Sequence, residues 1–409
     1  MDFPKLRYVE VFPVDTDDGQ MVGVRDPQNI ASETLVISPD VYYLLYYLDG
    51  RHSWEEIKQE YKAGCAKALD DEDLHEILGH LDKHYFLDND NFADRLKRLE
   101  QNFLDLPARP TAHAGQSYEA APDALAAQID GFFENPEGAG KPVMNGAATM
   151  PIKGLVAPHI DVRLGGPCYS HAYRALLESA GADCFVILGT GHSGLAGLYS
   201  TLAKDFDTPF GPVRHDAGFI KLLEKNYPAI GQSEVLPHRT EHVIEFQVIF
   251  LKHLLRNFPD FTIVPLLCSF SYHALTDPRF AREKKIVETF SKALKATIEQ
   301  FDKRVCLIAS VDFCHVGPRY GDPASPDVAF LKKVSQFDKS LFKHIEKLDA
   351  DAFCNTVAAE QDKYRVCGFS SVYTMLNAID ASKVRMLNYA DTTVDNQNSK
   401  VTFASMSFH

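Results

Sequence analysis

The sequence predicts an α/β protein, a mostly parallel sheet flanked by helices, preceded by a small α+β domain of winged-helix-like plan. Three observations carry this. From Ile152 onward, apolar runs alternate with helix-length amphipathic segments, the pattern of strands joined by crossover helices. Three of those runs, at 155–158, 184–188 and 305–310, each lead into a loop with a potential metal ligand: His159, His192 and Cys314. The first hundred residues differ in texture, with short alternating stretches followed by helices, and they hold most of the net charge.

A chain of 409 residues suggests two domains, placed here at 1–105 and 106–409. Its 45% hydrophobic and 24% charged residues are those of an ordinary globular protein. No apolar run reaches the length of a membrane span. The opening Met1-Asp2-Phe3-Pro4-Lys5 lacks the plan of a secretory signal, and the eight cysteines form no paired framework, so a reducing cytoplasm is expected. Residues 1–105 hold 11 Lys+Arg against 23 Asp+Glu, a balance of −12 out of −14 overall. Such an acidic domain would be repelled by a phosphate backbone, which argues against nucleic-acid binding.

In the first domain, stretches at 8–14, 21–24 and 34–37 separated by Asp/Gly turns read as small hairpins. Val41, Leu44, Leu45 and Leu48 then form one apolar stripe, ended by Asp49-Gly50. Ser53-Trp54-Glu55-Glu56 is a capping-box start for a second helix. A third carries Leu74, Ile77, Leu78, Leu81 and Tyr85 on one face, with Asp71, Glu72 and Asp73 at the end the helix dipole favours.

Residues 104–123 are rich in Pro, Ala and Gly, 123–133 read as a short helix, and 135–150 as loop with Gly138, Gly140 and Gly146. Further helices are expected at 168–179, 216–225, 245–256, 282–301, within 327–358, and at 368–379. In such a sheet the carboxyl ends of the strands share one edge, where residues distant in sequence converge.

His159 follows Ala157-Pro158, which holds its backbone extended. His192 sits in Leu188-Gly189-Thr190-Gly191-His192-Ser193-Gly194, where glycines permit close backbone approach. Neither the GxGxxG spacing nor a Walker lysine is present, so a nucleotide cradle is disfavoured. Cys314 lies between Asp312 and His315, directly after an apolar strand. Two imidazoles and a thiolate would suit a borderline or soft transition metal with an open position. Asp161 and Asp312 are placed to accept an imidazole N–H, and His242, at a helix start, to serve as general acid or base. Each has a plainer reading: a strand-end hydrogen bond for His159, a loop cap for Asp161, a buried inert thiol for Cys314, an exposed helix end for His242. A Cys/His nucleophile pair at Cys314 is a competing chemistry.

Taken in order, Ala112-His113-Ala114-Gly115, Ala157-Pro158-His159, His171-Ala172-Tyr173, Ile187-Leu188-Gly189, Glu241-His242-Val243-Ile244-Glu245, the run from Ser310 through Asp312, Cys314 and His315 to Gly317, Cys367-Gly368 and Leu387-Asn388-Tyr389-Ala390 resemble the Memo family over residues 111–409. That family is similar in fold to the catalytic subunits of class III extradiol dioxygenases (LigB-type). The resemblance implies a metal site of His159, His192 and Cys314 holding an iron or copper ion, with His242 close by.

Residues 5–90, through Ser38-Pro39, Leu48-Asp49-Gly50 and Trp54-Glu55-Glu56-Ile57, look like the PqqD-type domains that hold peptides for radical-SAM enzymes. Together the two resemblances imply partnership with a radical-SAM protein and an AMMECR-type protein. They suggest a metal-dependent oxidoreductase or dioxygenase-like activity, or else a non-catalytic adaptor that binds a peptide or partner. The sequence departs from the Memo pattern at His159-Ile160-Asp161-Val162, Thr190-Gly191-His192-Ser193 and Phe369-Ser370 after Cys367-Gly368, changes that alter the pocket and leave the expected ligands in place.

Overall fold

The computed structural model describes residues 2–17, 19–31, 33–143, 151–258 and 260–409. The chain divides into two compact units, Met1–Leu106 and Pro107–His409. No helix among the described residues is long and apolar enough to cross a membrane.

In the first unit, β1 (Glu10–Thr16), β2 (Gly19–Arg25) and β3 (Leu35–Ile37) form an antiparallel sheet in that order. Four helices follow. Pro39–Leu45 is capped by Ser38, and Trp54–Cys65 opens on a complete capping box in which Ser53 and Glu56 satisfy each other's backbone N–H. Asp71–Lys83 is capped by Asp70, and Asp90–Asp105 by Asn89. This last helix was not foreseen from the sequence. Its apolar residues are sparse among charges, and Phe103 is its only buried residue. The core gathers Val24, Leu35, Leu44, Leu48, Ile57, Leu74, Leu78 and Phe86.

The second unit begins with β4 (Ala108–Arg109). It continues through β5 (Gly154–Ala157), β6 (Cys184–Thr190), β7 (Tyr199–Thr201), β8 (Asp205–Phe206), β9 (Thr262–Cys268), β10 (Val305–Ser310), β11 (Asp312–Val316), β12 (Val384–Thr393) and β13 (Lys400–Phe408). β4 and β8 pair with each other. The remaining eight described strands form one sheet in the order β11-β13-β5-β10-β6-β9-β7, with β12 on β13. The centre, β5-β10-β6-β9, is parallel, and the strands bordering it are antiparallel, so the sheet is mixed. The β12/β13 hairpin escaped the sequence reading because Thr402, Ser405 and Ser407 interrupt its hydrophobicity, although all three are buried.

Helices cover both faces, as the alternation of strands and helices requires. Val156, Val186, Leu188, Leu307 and Ala309 face a core shared with Phe290, Leu294, Val372 and Met375. Ser310, one residue from Ala309 and hence on the opposite face, donates to the Val243 carbonyl of the His242–Leu254 helix. Residues 327–358 form two helices, Val328–Glu346 and Ala350–Ala359. Of the expected loop at 135–150, residues 135–143 contain no helix or strand, and 144–150, with Gly146, lie outside the described residues.

The register of the central strands decides where the site lies. Ser310 stands opposite both Ala157 and Gly189, and Thr190 opposite Cys268, so these strands finish level with one another. The residues that follow emerge at one edge.

Candidate metal centre

His159 leaves the end of β5 almost fully buried, at 2% exposure. Its Nδ1 lies 2.9 Å from the Ser310 carbonyl, which can only accept, so Nδ1 carries the proton and Nε2 presents a lone pair. Asp312 fixes the backbone at this point by accepting the N–H groups of His159 (3.0 Å) and Ile160 (3.1 Å). Burial, with His192 and His242 nearby, holds the His159 imidazole well below the usual histidine range, so the ring is neutral. Burial pushes the Asp312 carboxyl up to about 7 against the pull of those two N–H groups.

His192 follows β6. Its backbone N–H donates to Glu241 Oε2 (2.9 Å) and its Nδ1 to Glu241 Oε1 (3.0 Å), which again turns Nε2 inward. Burial of the ring opposes protonation, but Glu241 and Cys367 outweigh it and hold His192 well above the usual range. The side chain keeps 42% of its surface exposed, so the cluster opens to solvent on this side. The glycine before it in the strand serves packing: a Cβ on Gly189 would meet Val243 Cγ2 at 2.2 Å.

Glu241 is the N-cap of the His242–Leu254 helix and is 8% exposed. Besides His192 it takes the backbone N–H and Nδ1 of His242, both at 3.1 Å. Burial would raise its pKa, yet the two imidazoles hold the carboxylate well below its usual range. One carboxylate thus orients two rings. His242 and His192 stack, with centroids 5.0 Å apart, and His159 meets both edge-on. One ligand atom from each of His159, His192 and His242 falls within 4.8 Å of the others. Burial draws the His242 imidazole down in spite of Glu241.

The thiol at this cluster belongs to Cys367. Its Sγ lies 3.2 Å from His159 Nε2 and 3.4 Å from His192 Nε2. Cys367 N–H donates to the Phe313 carbonyl, Gly368 N–H to that of Asp312, and His315 N–H to that of Tyr364, so residues 364–368 run alongside β11. Thr190 Oγ1 closes on the Cys367 carbonyl at 3.0 Å.

Cys314, expected as the third ligand, lies elsewhere. Its Sγ is buried 3.0 Å from Asp338 Oδ1 on the Val328–Glu346 helix. On a regular strand Asp312 and Cys314 would share a face, but the β11/β13 ladder shifts register between Asp312 and His315. Asp312 therefore reaches His159 while Cys314 reaches Asp338. Burial and Asp338 raise the Cys314 thiol well above its ordinary range, which leaves it an inert core group. Asp161 does not serve an imidazole either. It caps the Val162–Leu177 helix and pairs with Arg163, as its position directly before a helix dictates.

The donor set fits a metal. In a tetrahedral site, nitrogen at ~2.0 Å and sulfur at ~2.3 Å from the ion stand about 3.5 Å apart, close to the two separations seen here. Each imidazole also has the outer hydrogen bond typical of a metal ligand, from Ser310 or Glu241.

A family model described as Memo-like protein matches residues 109–407. A MEMO1 family protein of Aquifex aeolicus is 27% identical over 409 residues, covering 99% of this chain and 100% of its own length. One from Methanopyrus kandleri is 31% identical over 288 residues, 69% of this chain and 91% of its own. Another, from Methanocaldococcus jannaschii, is 28% identical over 291 residues, 69% of this chain and 91% of its own. The two archaeal proteins thus match less of this chain than the Aquifex protein, which aligns along nearly all of it. With its model matching this much of the sequence, the chain belongs to the Memo-like family.

Proposed function

We propose that His159, His192 and Cys367 hold one transition-metal ion, copper or iron, in a metal-dependent redox protein, with His242 as the adjacent acid–base group. The observation that carries this reading is the approach of Cys367 Sγ to two imidazole Nε2 atoms at once. Those two separations are the ones a nitrogen and a sulfur on one tetrahedral ion would show, and the outer hydrogen bonds to Ser310 and Glu241 turn both Nε2 atoms toward that point. Sulfur beside two imidazoles favours copper over iron. When bound, such an ion would supply redox chemistry beside the solvent-exposed His192.

The chain's own groups would then divide the work. Ser310 and Glu241 fix the ring orientations, and Asp312 holds the loop that carries His159. His242, its Nδ1 engaged by Glu241, is free to take or give a proton at Nε2. The test is metal analysis of anaerobically purified wild type, Cys367→Ala and Cys314→Ala. Loss of metal only in Cys367→Ala is expected; equal metal in wild type and Cys367→Ala ends the assignment.

A second reading has its own support. Cys367, His192 and Glu241 are arranged like a nucleophile, a base and an orienting carboxylate. It predicts rapid alkylation of Cys367 that added metal does not slow.

For the first unit, docking to a radical-SAM protein or an AMMECR-type protein, or holding a peptide for them, is supported by its acidity and by exposed Phe3, Tyr8, Val11, Val36 and Tyr46. Substituting Tyr8→Ser and Tyr46→Ser together should weaken co-purification with such a partner and leave metal content unchanged.

A further inference from the structure

The segment that delivers Cys367 has unusual backbone geometry. Gln361, Asp362 and Arg365 all have positive φ, at 52°, 49° and 53°, a region side chains with a Cβ disfavour. Three such residues within five positions, ending two residues before the thiol, need an external restraint. Arg365 supplies it. Its guanidinium donates to Asp322 Oδ1 (2.6 Å) and to the His315 carbonyl (3.1 Å). Asp322 in turn accepts the Gly317 N–H through Oδ2 (2.7 Å), closing the loop that follows β11. Asp362 holds the other end by accepting the Val366 N–H at 2.8 Å.

We infer that Arg365 is a positioning residue, whose clamp onto Asp322 and His315 sets Cys367 Sγ opposite the two imidazoles. The inference rests on the proposed ligand set. Apart from the Arg365 guanidinium, residues 364–368 bond to β11 through backbone groups, and those bonds fix the distance between the segment and the strand. Together with Thr190 Oγ1 on the Cys367 carbonyl they seat Cys367 itself, but they do not brace the left-handed Arg365 that leads into it. The fork on Arg365 spans His315 in β11 and Asp322 in the loop after it, and so braces that turn against the strand. Without it, the left-handed residues are free to relax and the thiol swings out of reach, while both histidines, held by Ser310 and Glu241, stay in place.

The probe is cobalt(II) loaded into the full chain, read by the near-ultraviolet sulfur-to-cobalt charge-transfer band at equal cobalt content. Wild type should show the band and Cys367→Ala should lack it. Arg365→Gln and Asp322→Asn should each weaken it several-fold while retaining the visible ligand-field bands of a histidine-bound ion. In the metal-free protein, iodoacetamide should label Cys367 several-fold faster in both variants. The buried cysteines of the same unit, such as Cys306 and Cys314, should stay as unreactive as in wild type and so report that the fold is intact. Full-strength bands and unchanged labelling in both variants overturn the clamp while leaving the ligand assignment standing. Absence of the band in wild type overturns the ligand assignment, and the clamp with it.

Discussion

Arg109 and Glu245, 136 residues apart in the chain, form an ion pair with exposures of 0% and 1%. The guanidinium also donates to the carbonyls of His238 (3.0 Å) and Glu241 (2.8 Å). Glu245 accepts the N–H groups of Ala112 and His113 and the Tyr118 hydroxyl. Every polar atom of the pair is thereby used, which a buried charge requires. The pair ties the start of the second unit to the residue that orients His192 and His242.

Removing one partner of this pair should therefore be costly. Arg109→Ala leaves the Glu245 carboxylate buried without its counter-charge, and a loss of about 3–5 kcal/mol is expected. Urea unfolding measures it. A double Arg109→Met, Glu245→Met variant should recover much of the loss, and additive losses would mean the two residues are not energetically coupled.

Glu241→Gln tests the shared carboxylate. Glutamine nearly preserves shape, but it has no charge and would set an NH2 against the His192 backbone N–H that Oε2 accepts, so its hold on both imidazoles weakens. Metal affinity should fall ~10- to 100-fold, the usual effect of losing an outer partner of a ligand histidine. Competition with a chelator of known affinity reads the change, and a shift under twofold would remove Glu241 from the site.

The positions of His159, His192 and His242 were legible because apolar parallel strands and a helix start are written plainly in sequence and their ends converge by geometry. The choice between Cys314 and Cys367 was not. Clustering with Asp312 and His315 favoured Cys314, but a register shift within five residues of strand turns its side chain toward Asp338, and sequence does not record such shifts. Cys367 had a subtler signal, a cysteine on a loop just before Gly368 and the apolar Phe369–Ala378 helix. The role of Glu241 was not legible, since its second partner, His192, is 49 residues away.

Asp338 predicts a pH dependence. Burial pushes its carboxyl up to about 6, against the hydrogen bonds from Cys314, Thr402 and Tyr389. The unfolded chain titrates near 3.9, so the folded state binds this proton more tightly. The group's contribution is therefore most favourable below the unfolded pKa. It declines as pH rises toward 6 and is flat above, a change of roughly 3 kcal/mol by linkage. Asp338→Asn lacks this titration, so its stability relative to wild type should climb between pH 4 and 6 and then level off. A difference that does not vary with pH would show that Asp338 titrates normally.

Gly368→Ala probes the approach of the Cys367 segment to β11 independently of any charge. The φ of Gly368 is −73°, which alanine adopts readily, so backbone strain is not at issue. Space is: an added Cβ would lie 2.5 Å from Val311 Cβ and 2.8 Å from the Asp312 carbonyl oxygen, which itself receives the Gly368 N–H. Neither neighbour can move freely, since Val311 is fully buried and Asp312 anchors His159. The segment must lift from the strand, taking Cys367 with it. A stability loss of about 1–3 kcal/mol, typical of overpacking, should accompany weaker metal retention. Gly131→Ala, inside the Pro122–Glu134 helix where nothing lies within 4 Å of an added Cβ, should raise stability by about 0.5–1 kcal/mol and leave metal content unchanged. Wild-type stability and metal content in Gly368→Ala would mean that the strand and the cysteine segment are not in such close contact.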